Sequence, residues 1–334
     1  MNFLENPTIE KQLYPFTLTR SVADIRIGIL TIREKWLLAA GSGSDIAVPS
    51  NLLPSQKIIA SLKMGNDIIE GVDSLLIKHP WHIFEYNDWA LRQDFEMLTA
   101  TRVSQNISST NKVISPENVF LEEGAKVEHA ILNASTGPIY IGKNAEIMEG
   151  GLIRGPFAIC EGGLVKMGAK IYGATTIGPY CIAGGEIKNS VLFGYSNKAH
   201  EGYLGDSVLG EWCNIGAGTS NSNVKNNASP VKIWDQYTGR ETMVGLKCGL
   251  LMGDYSRSAI NTSFNTGTVT GICCNIFGEG LKGPVIPSFS WCGPETTRYK
   301  FDNAVRDIDN WKKLKKQSIQ EEEIKKLRLI FDTY

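Results

Sequence analysis

A six-residue period constrains this chain more than any other feature. Written in sixes, residues 141–182 read IGKNAE, IMEGGL, IRGPFA, ICEGGL, VKMGAK, IYGATT, IGPYCI. The first positions are Ile141, Ile147, Ile153, Ile159, Val165, Ile171 and Ile177, an unbroken β-branched column. Small residues gather at the fifth position: Ala145, Gly151, Gly163, Ala169, Thr175 and Cys181. A helix repeats every ~3.6 residues and a strand every ~2, so neither produces this spacing. A solenoid of short strands and tight corners does. The aliphatic residue points inward, the small residue fits a corner, and glycine supplies the turn geometry.

The phase is visible earlier at Leu121 and Val127 and returns at Leu209 and Ile215. Beyond residue 243 glycine and β-branched residues persist in MVGLKCGLLMGD and TGTVTGICCNIFGEG, with a less regular phase. The solenoid is expected over 113–293, with loops leaving it at 189–207 and 220–242. Residues 1–112 have a different texture, that of a small α/β region, and 294–334 read as a helical tail. Within HPWHIFEYNDWALRQDFEML (79–98), Phe84, Leu91, Phe95 and Leu98 fall on one face of a predicted helix. His79, His82 and Glu85 imitate a metal cluster there, but they sit at a helix start where histidine is ordinary, and no metal is assigned. In PFTLTRSVADIRIGILTIREKW (15–36), Val22, Ile25, Ile29 and Ile32 are spaced as a helix's apolar face. Arg20, Arg26, Arg33 and Lys35 would then form its polar face, or else meet phosphates. The tail segment WKKLKKQSIQEEEIKKLRLIFD carries blocks of alternating sign, the usual mark of a solvated helix face, although some of its lysines could meet a cofactor phosphate.

Composition excludes several classes. A net charge of −1 leaves no basic stripe for nucleic acid. No apolar run reaches the ~18 residues of a membrane span. The start MNFLENPTIEKQ lacks the basic-then-apolar order of a secretion signal, so a cytoplasmic location is expected. The 7 cysteines are odd in number and contain no C-x-x-C, which reads as free thiols serving as small hydrophobes.

His200 is one of 4 histidines and lies in GYSNKAHEGYLGD (194–206), where the rhythm breaks. The repeat itself resembles the hexapeptide repeat of the left-handed parallel β-helix, in which three hexads make one triangular coil. The ordered motifs E-x-K-N-S, G-x-S-K-A-x-H, Y-x-G-D and N-I-G-A-G-T resemble the acetyltransferase half of the bifunctional N-acetylglucosamine-1-phosphate uridylyltransferase/glucosamine-1-phosphate N-acetyltransferase family. The resemblance implies that His200 is the general base, taking a proton from the sugar amine as it attacks acetyl-CoA. It implies oxyanion donors at the backbone of Gly216 and Ala217, and a role for Asn214 in orienting the histidine or the amine. Asn223 matches a family asparagine, while Val224 and Lys225 replace an aromatic residue and a Y-D-G turn. For the sugar phosphate, Lys166 takes the place of a family arginine and Lys188 matches directly. Arg154, at the same hexad position as Lys166, ranks lower because it falls on another face. Tyr203 stands where the family has a sugar-contacting tyrosine. Lys170 and Lys188 are three hexads apart, so an unbroken solenoid would stack them ~5 Å apart.

The TRSVADIRIGILTIREKW segment, NDWALRQDFEMLT and IPSFSW resemble a variant group of sugar nucleotidyltransferases fused to this β-helix. Ordinary members cradle phosphates with an L-x-A-A-G-x-G-T-R loop. None precedes Thr19-Arg20, and LLAAGSGSD (37–45) imitates it only after the motif. Residues 37–75 look shortened. The resemblance offers Arg20, Arg26 and Lys35 as nucleotide contacts and Mg²⁺ as a cofactor if nucleotidyl transfer is retained, though the sequence singles out no carboxylate pair.

The reading is a mainly β protein: a left-handed parallel β-helix with a small N-terminal α/β region and a C-terminal helical tail. The expected activity is acetyl transfer to an amino-sugar 1-phosphate. The alternative is sugar-1-phosphate nucleotidyl transfer from UTP or dTTP, with the β-helix as a trimerisation scaffold. A zinc-dependent solenoid enzyme of the γ-carbonic anhydrase type needs three histidine ligands, and only His129 and His200 lie in the solenoid. The family resemblance implies a homotrimer with sites between subunits.

Overall fold

The hexad period is realised as a parallel β-solenoid of about ten coils. The computed structural model describes residues 1–41, 46–65, 75–293 and 295–333. The solenoid runs from the strand Lys112–Ile114 to the strand Ser290–Cys292. Each coil contributes short strands to three faces, and successive coils pair in parallel.

The inward columns explain the sequence period. Ile141, Ile159 and Ile177 stack at steps of one coil on the first face. Ile147 stacks on Val165 on the second, and Ile153 on Ile171 on the third. All are buried in one core cluster. The fifth position is small because the preceding aliphatic side chain already fills its space. A Cβ added to Gly151 would lie 2.8 Å from Ile147 Cγ2, and one added to Gly163 would lie 2.6 Å from Ile159 Cγ1. All seven cysteines are free and buried, as expected of small hydrophobes.

Each face has a different outer covering. The first, here called the clamped face, presents Phe120, Tyr140, Ala158, Thr176, Val191, Val208, Leu251 and Val269 outward in register. The N-terminal region packs on this row through Leu13, Phe16, Ile25, Ile27 and Ile83. The second, the tail face, is roofed in its later coils by the C-terminal helices. These are α6 (Phe301–Lys313) and α7 (Glu321–Thr333), with α1 to α5 assigned below to the N-terminal region. Ile308 and Ile330 of these helices join Trp212, Tyr255 and Phe289 in a separate cluster. The third, the open face, leaves Ile131, Leu152, Tyr172 and Lys188 exposed.

The N-terminal region holds α1 (Pro7–Gln12), α2 (Ile32–Ala40), α3 (Gln56–Lys63), α4 (His82–Glu85) and α5 (Asn87–Thr99) with short strands. The predicted helix over 79–98 is therefore two helices joined at Tyr86. The helical reading of residues 20–33 does not hold. Only a short 3₁₀ turn (Val22–Asp24) and the start of α2 are helical there. The N–H groups of Gly28, Ile29 and Leu30 are given to side chains, Asn87 Oδ1 for the first and Asp94 Oδ2 for the others. Gly28 has φ +68, a left-handed conformation that ends any helix. The glycine-rich segment 37–45 begins in the last turns of α2, and residues 42–45 lie outside the described residues.

Two expectations about coil length are corrected. Residues 189–207 do not leave the solenoid. They belong to two nine-residue strands, Glu186–Gly194 and Tyr203–Glu211, and to the strand Asn197–Lys198 with its turns between them. The rhythm breaks because the coils shorten: Ile177 pairs with Leu192, a step of 15 residues, and Leu192 with Leu209, a step of 17. For the same reason Lys188 does not stack on Lys170. Ile171 pairs with Ile187, so Lys170 faces Glu186 and Lys188 faces Gly205. The excursion expected over 220–242 is present: after the strand Ser220–Asn221 the chain leaves the solenoid through the antiparallel hairpin Val231–Asp235/Arg240–Gly245 before Met252 pairs with Leu209.

Candidate active site

His200 sits on the turn where the tail face bends into the open face, and it is exposed. Among the described residues no group hydrogen-bonds its imidazole. Its position is held from below. Lys198, two residues earlier, occupies an inward position between Ala183 and Ile215 and is 1% exposed. Its ammonium donates to the carbonyls of Gly184 and His200. Burial pushes its pKa down to about 8, against the pull of Glu201 and with a further push from Lys170. A buried ammonium therefore ties the His200 turn to the coil beneath. Sequence reasoning missed this residue, although the signal was present: Leu192, Lys198 and Leu204 continue the spacing of six, and a lysine in that column is out of character.

The register that sets Asn197 against Asn214 continues to set His200 against Ala217, and the Gly218 N–H donates to Glu201 O at 2.9 Å. The corner thus stacks His200 and Ala217 about one strand spacing, ~4.8 Å, apart. The Gly216 N–H is spent on Ser258 Oγ at 3.2 Å. The Ala217 N–H donates to no group among the described residues. Lys166 lies on the same corner two coils below, beside Gly184. Lys170 pairs with Glu201 at 3.7 Å.

A second group gathers across the open face. The Tyr203 ring folds over Gly205, where an added Cβ would lie 2.2 Å from its hydroxyl. Asn223 donates to that hydroxyl at 3.1 Å and also to Asp206. Asn189 donates to the other oxygen of Asp206 at 2.6 Å. Lys188 faces Gly205 on the next strand. The Y-x-G-D motif is therefore a local fold: tyrosine over glycine, then aspartate in the left-handed region (φ +47) anchoring two asparagines. Glu85 of α4 borders this group. Burial, then the Asp206 charge, raises its pKa to about 6. The sequence offered Glu85 only as part of an apparent metal cluster with His79 and His82, and Asp206 only as the last residue of Y-x-G-D.

The remaining predicted residues lie elsewhere. Asn214 faces outward on the tail face beside Asn197 and Arg257, under α6. Arg20 forks onto Asp254 at 2.6 and 3.1 Å, with Glu211 at 3.5 Å. Arg26 donates to Ile29 O and pairs with Glu34 at 3.6 Å. Lys35 is buried against Asp94. In the structure, these three cations bind the N-terminal region to itself and to the solenoid. His79 stacks on Trp81, and among the described residues no group of three or more His, Cys, Asp or Glu is placed to hold a metal.

One corner of the solenoid thus carries an exposed histidine and, one coil above, a backbone N–H that donates to no group among the described residues. A sequence family described as sugar nucleotidyl transferase matches residues 2–52. The chain is 30% identical over 205 residues to the bifunctional sugar-1-phosphate nucleotidylyltransferase/acetyltransferase of Sulfurisphaera tokodaii, covering 60% of this chain and 44% of that protein. It is 28% identical over 271 residues to the bifunctional protein GlmU of Methanococcus maripaludis, covering 81% and 58%. It is 34% identical over 89 residues to that of Methanocaldococcus jannaschii, covering 27% and 21%. The resemblance read from the motifs is borne out: the named relatives are bifunctional transferases of the GlmU type. The chain matches less than two thirds of the length of each of these three.

Proposed function

We propose that this protein transfers an acetyl group from acetyl-CoA to the amine of an amino-sugar 1-phosphate at the open corner. The observation that carries the reading is the pairing of His200, exposed and unbonded, with the free N–H of Ala217 one coil above. In this reading the neutral imidazole removes the amine proton as nitrogen attacks the thioester, and the Ala217 N–H donates to the oxygen that gains charge; the tetrahedral intermediate then breaks its C–S bond, and the imidazolium returns the proton to the departing CoA thiolate. Lys166 and Lys188 balance the sugar phosphate, with Tyr203 and Asn223 against the sugar. Lys170 supports the corner through Glu201. The Sulfurisphaera tokodaii relative is named as an acetyltransferase, which supports the same class of reaction.

A homotrimer fits this arrangement. Met167 and Ile260 lie exposed on the corner that carries His200, at 64% and 68%, and a second copy covering them would close the site. The match over residues 2–52 favours a second reading, nucleotidyl transfer from UTP or dTTP. Against it, Arg20, Arg26 and Lys35 are engaged within the fold, and no step through Mg²⁺ is derived.

The test is His200→Ala, assayed as acetyl-CoA-dependent loss of free amine from glucosamine 1-phosphate. A rate loss of about 10²–10⁴-fold is expected, the usual contribution of a general base. An unchanged rate would falsify the assignment. Pyrophosphate release from UTP and a sugar 1-phosphate that survives the substitution would favour the second reading.

A further inference from the structure

Arg257 is buried at 8% exposure, yet its guanidinium has no acceptor. Nε and Nη2 are shielded from solvent without a hydrogen-bond partner, and among the described residues no carboxylate pairs with it. A buried, unpaired charge is costly, and native folds rarely leave one without a partner. The Asp307 charge of α6 reaches the guanidinium but does not bond to it. Arg257 is the register neighbour of Asn214, which neighbours Asn197. Lys315, just beyond α6, donates to the Tyr180 carbonyl and to Asn197 Oδ1 at 3.3 Å, and Asn197 Nδ2 donates to Asn214 Oδ1 at 3.4 Å. Both amide oxygens are thereby used, and the relay ends on the Asn214 Nδ2 group beside Arg257. Trp311 roofs the guanidinium with its ring centre at 5.3 Å. Asp307 of α6 is already engaged by the Tyr299 hydroxyl and by Arg306 at 3.5 Å.

We propose that Arg257 and Asn214 form a phosphate-monoester site between the tail face and α6, with Lys315 at the far end of the Asn197 relay. A buried guanidinium without an acceptor, beside an amide whose oxygen is already used, suits an oxyanion. A planar guanidinium can present two N–H groups to one phosphate. The site is distinct from the His200 corner and does not rest on the acetyl-transfer reading.

Isothermal titration of the full chain with inorganic phosphate tests it. Saturable binding is expected, weakened about tenfold or more in Arg257→Gln, the loss of one charge-assisted contact. Asn214→Asp places a carboxylate beside Arg257 and should abolish phosphate binding while raising the melting temperature. This second variant decides the matter if Arg257→Gln fails to fold. His200→Ala should bind phosphate as wild type does, which separates this site from the proposed catalytic one. Repeating the titration with a sugar 1-phosphate and with adenosine 3′,5′-bisphosphate tells a sugar source from a nucleotide source. Absence of saturable phosphate binding, or binding unchanged in both Arg257→Gln and Asn214→Asp, overturns the proposal.

Discussion

The clamped face and the open face belong to the same coils, with the same inward columns, yet they use polar residues in opposite ways. On the clamped face polar groups are buried and consumed. Asn87 bridges the Gly28 N–H, the Ala174 carbonyl and Thr176, and Asp94 holds Lys35 and two backbone N–H groups. Arg20 is locked to Asp254 beneath the same region. On the open face and its corner, His200, Lys188 and the Ala217 N–H remain available. The contrast shows that identical repeats acquire different roles from what covers them. It also separates the residues of the two sequence resemblances: Arg20 and Lys35 of the N-terminal motif are engaged within the fold, while His200 and Lys188 of the solenoid motifs are exposed.

Four experiments test this contrast, in decreasing order of expected effect. Asp94→Ala should be the most disruptive, because it leaves the Lys35 ammonium buried without its partner. A loss of about 3–5 kcal/mol in urea-unfolding stability is expected. The double replacement Lys35→Met/Asp94→Leu should recover much of it, and a single variant as stable as wild type would show that the pair adds no stability. His200→Ala, described above, should instead leave stability within about 0.5 kcal/mol, as surface substitutions usually do.

Lys198→Met probes the link between core and corner through pH. The folded pKa of Lys198 is depressed, so between about 8 and the unfolded value near 10.4 the unfolded chain binds more protons. Wild-type stability should therefore rise relative to the variant across that window, by up to about 1.4 kcal/mol per pH unit. Below it the difference should be flat. Parallel curves throughout would remove Lys198 from its assigned place. Glu201→Gln, which breaks an exposed pair, should cost less than about 1 kcal/mol, and less still at high salt.

The solenoid was legible because inward residues recur at a spacing no other regular structure shares. Its irregularities were not legible from that rule. Where coils shorten around Ile187 and Leu192, a fixed period projects Lys188 onto Lys170 and mistakes two long strands for a loop. Val22, Ile25, Ile29 and Ile32 are all buried, as their spacing suggested. They are buried by wrapping against α5 and the clamped face, and the backbone hydrogen bonds that a helix would make go to Asn87 and Asp94, far away in sequence. The motif residues were found by order and type. Their division between the open face and the tail face follows from register and from the path of the tail.

The stacked corner also acts as a ruler. Each coil lifts the chain by one strand spacing, ~4.8 Å. Lys166, Gly184, Ala199 and Gly216 therefore mark successive graduations along one edge, beside His200. The backbone distance between Lys166 and the His200 turn is set by a whole number of coils. Adding or removing one coil between them would change the length of molecule the edge can span by that increment, while every inward column stayed in phase.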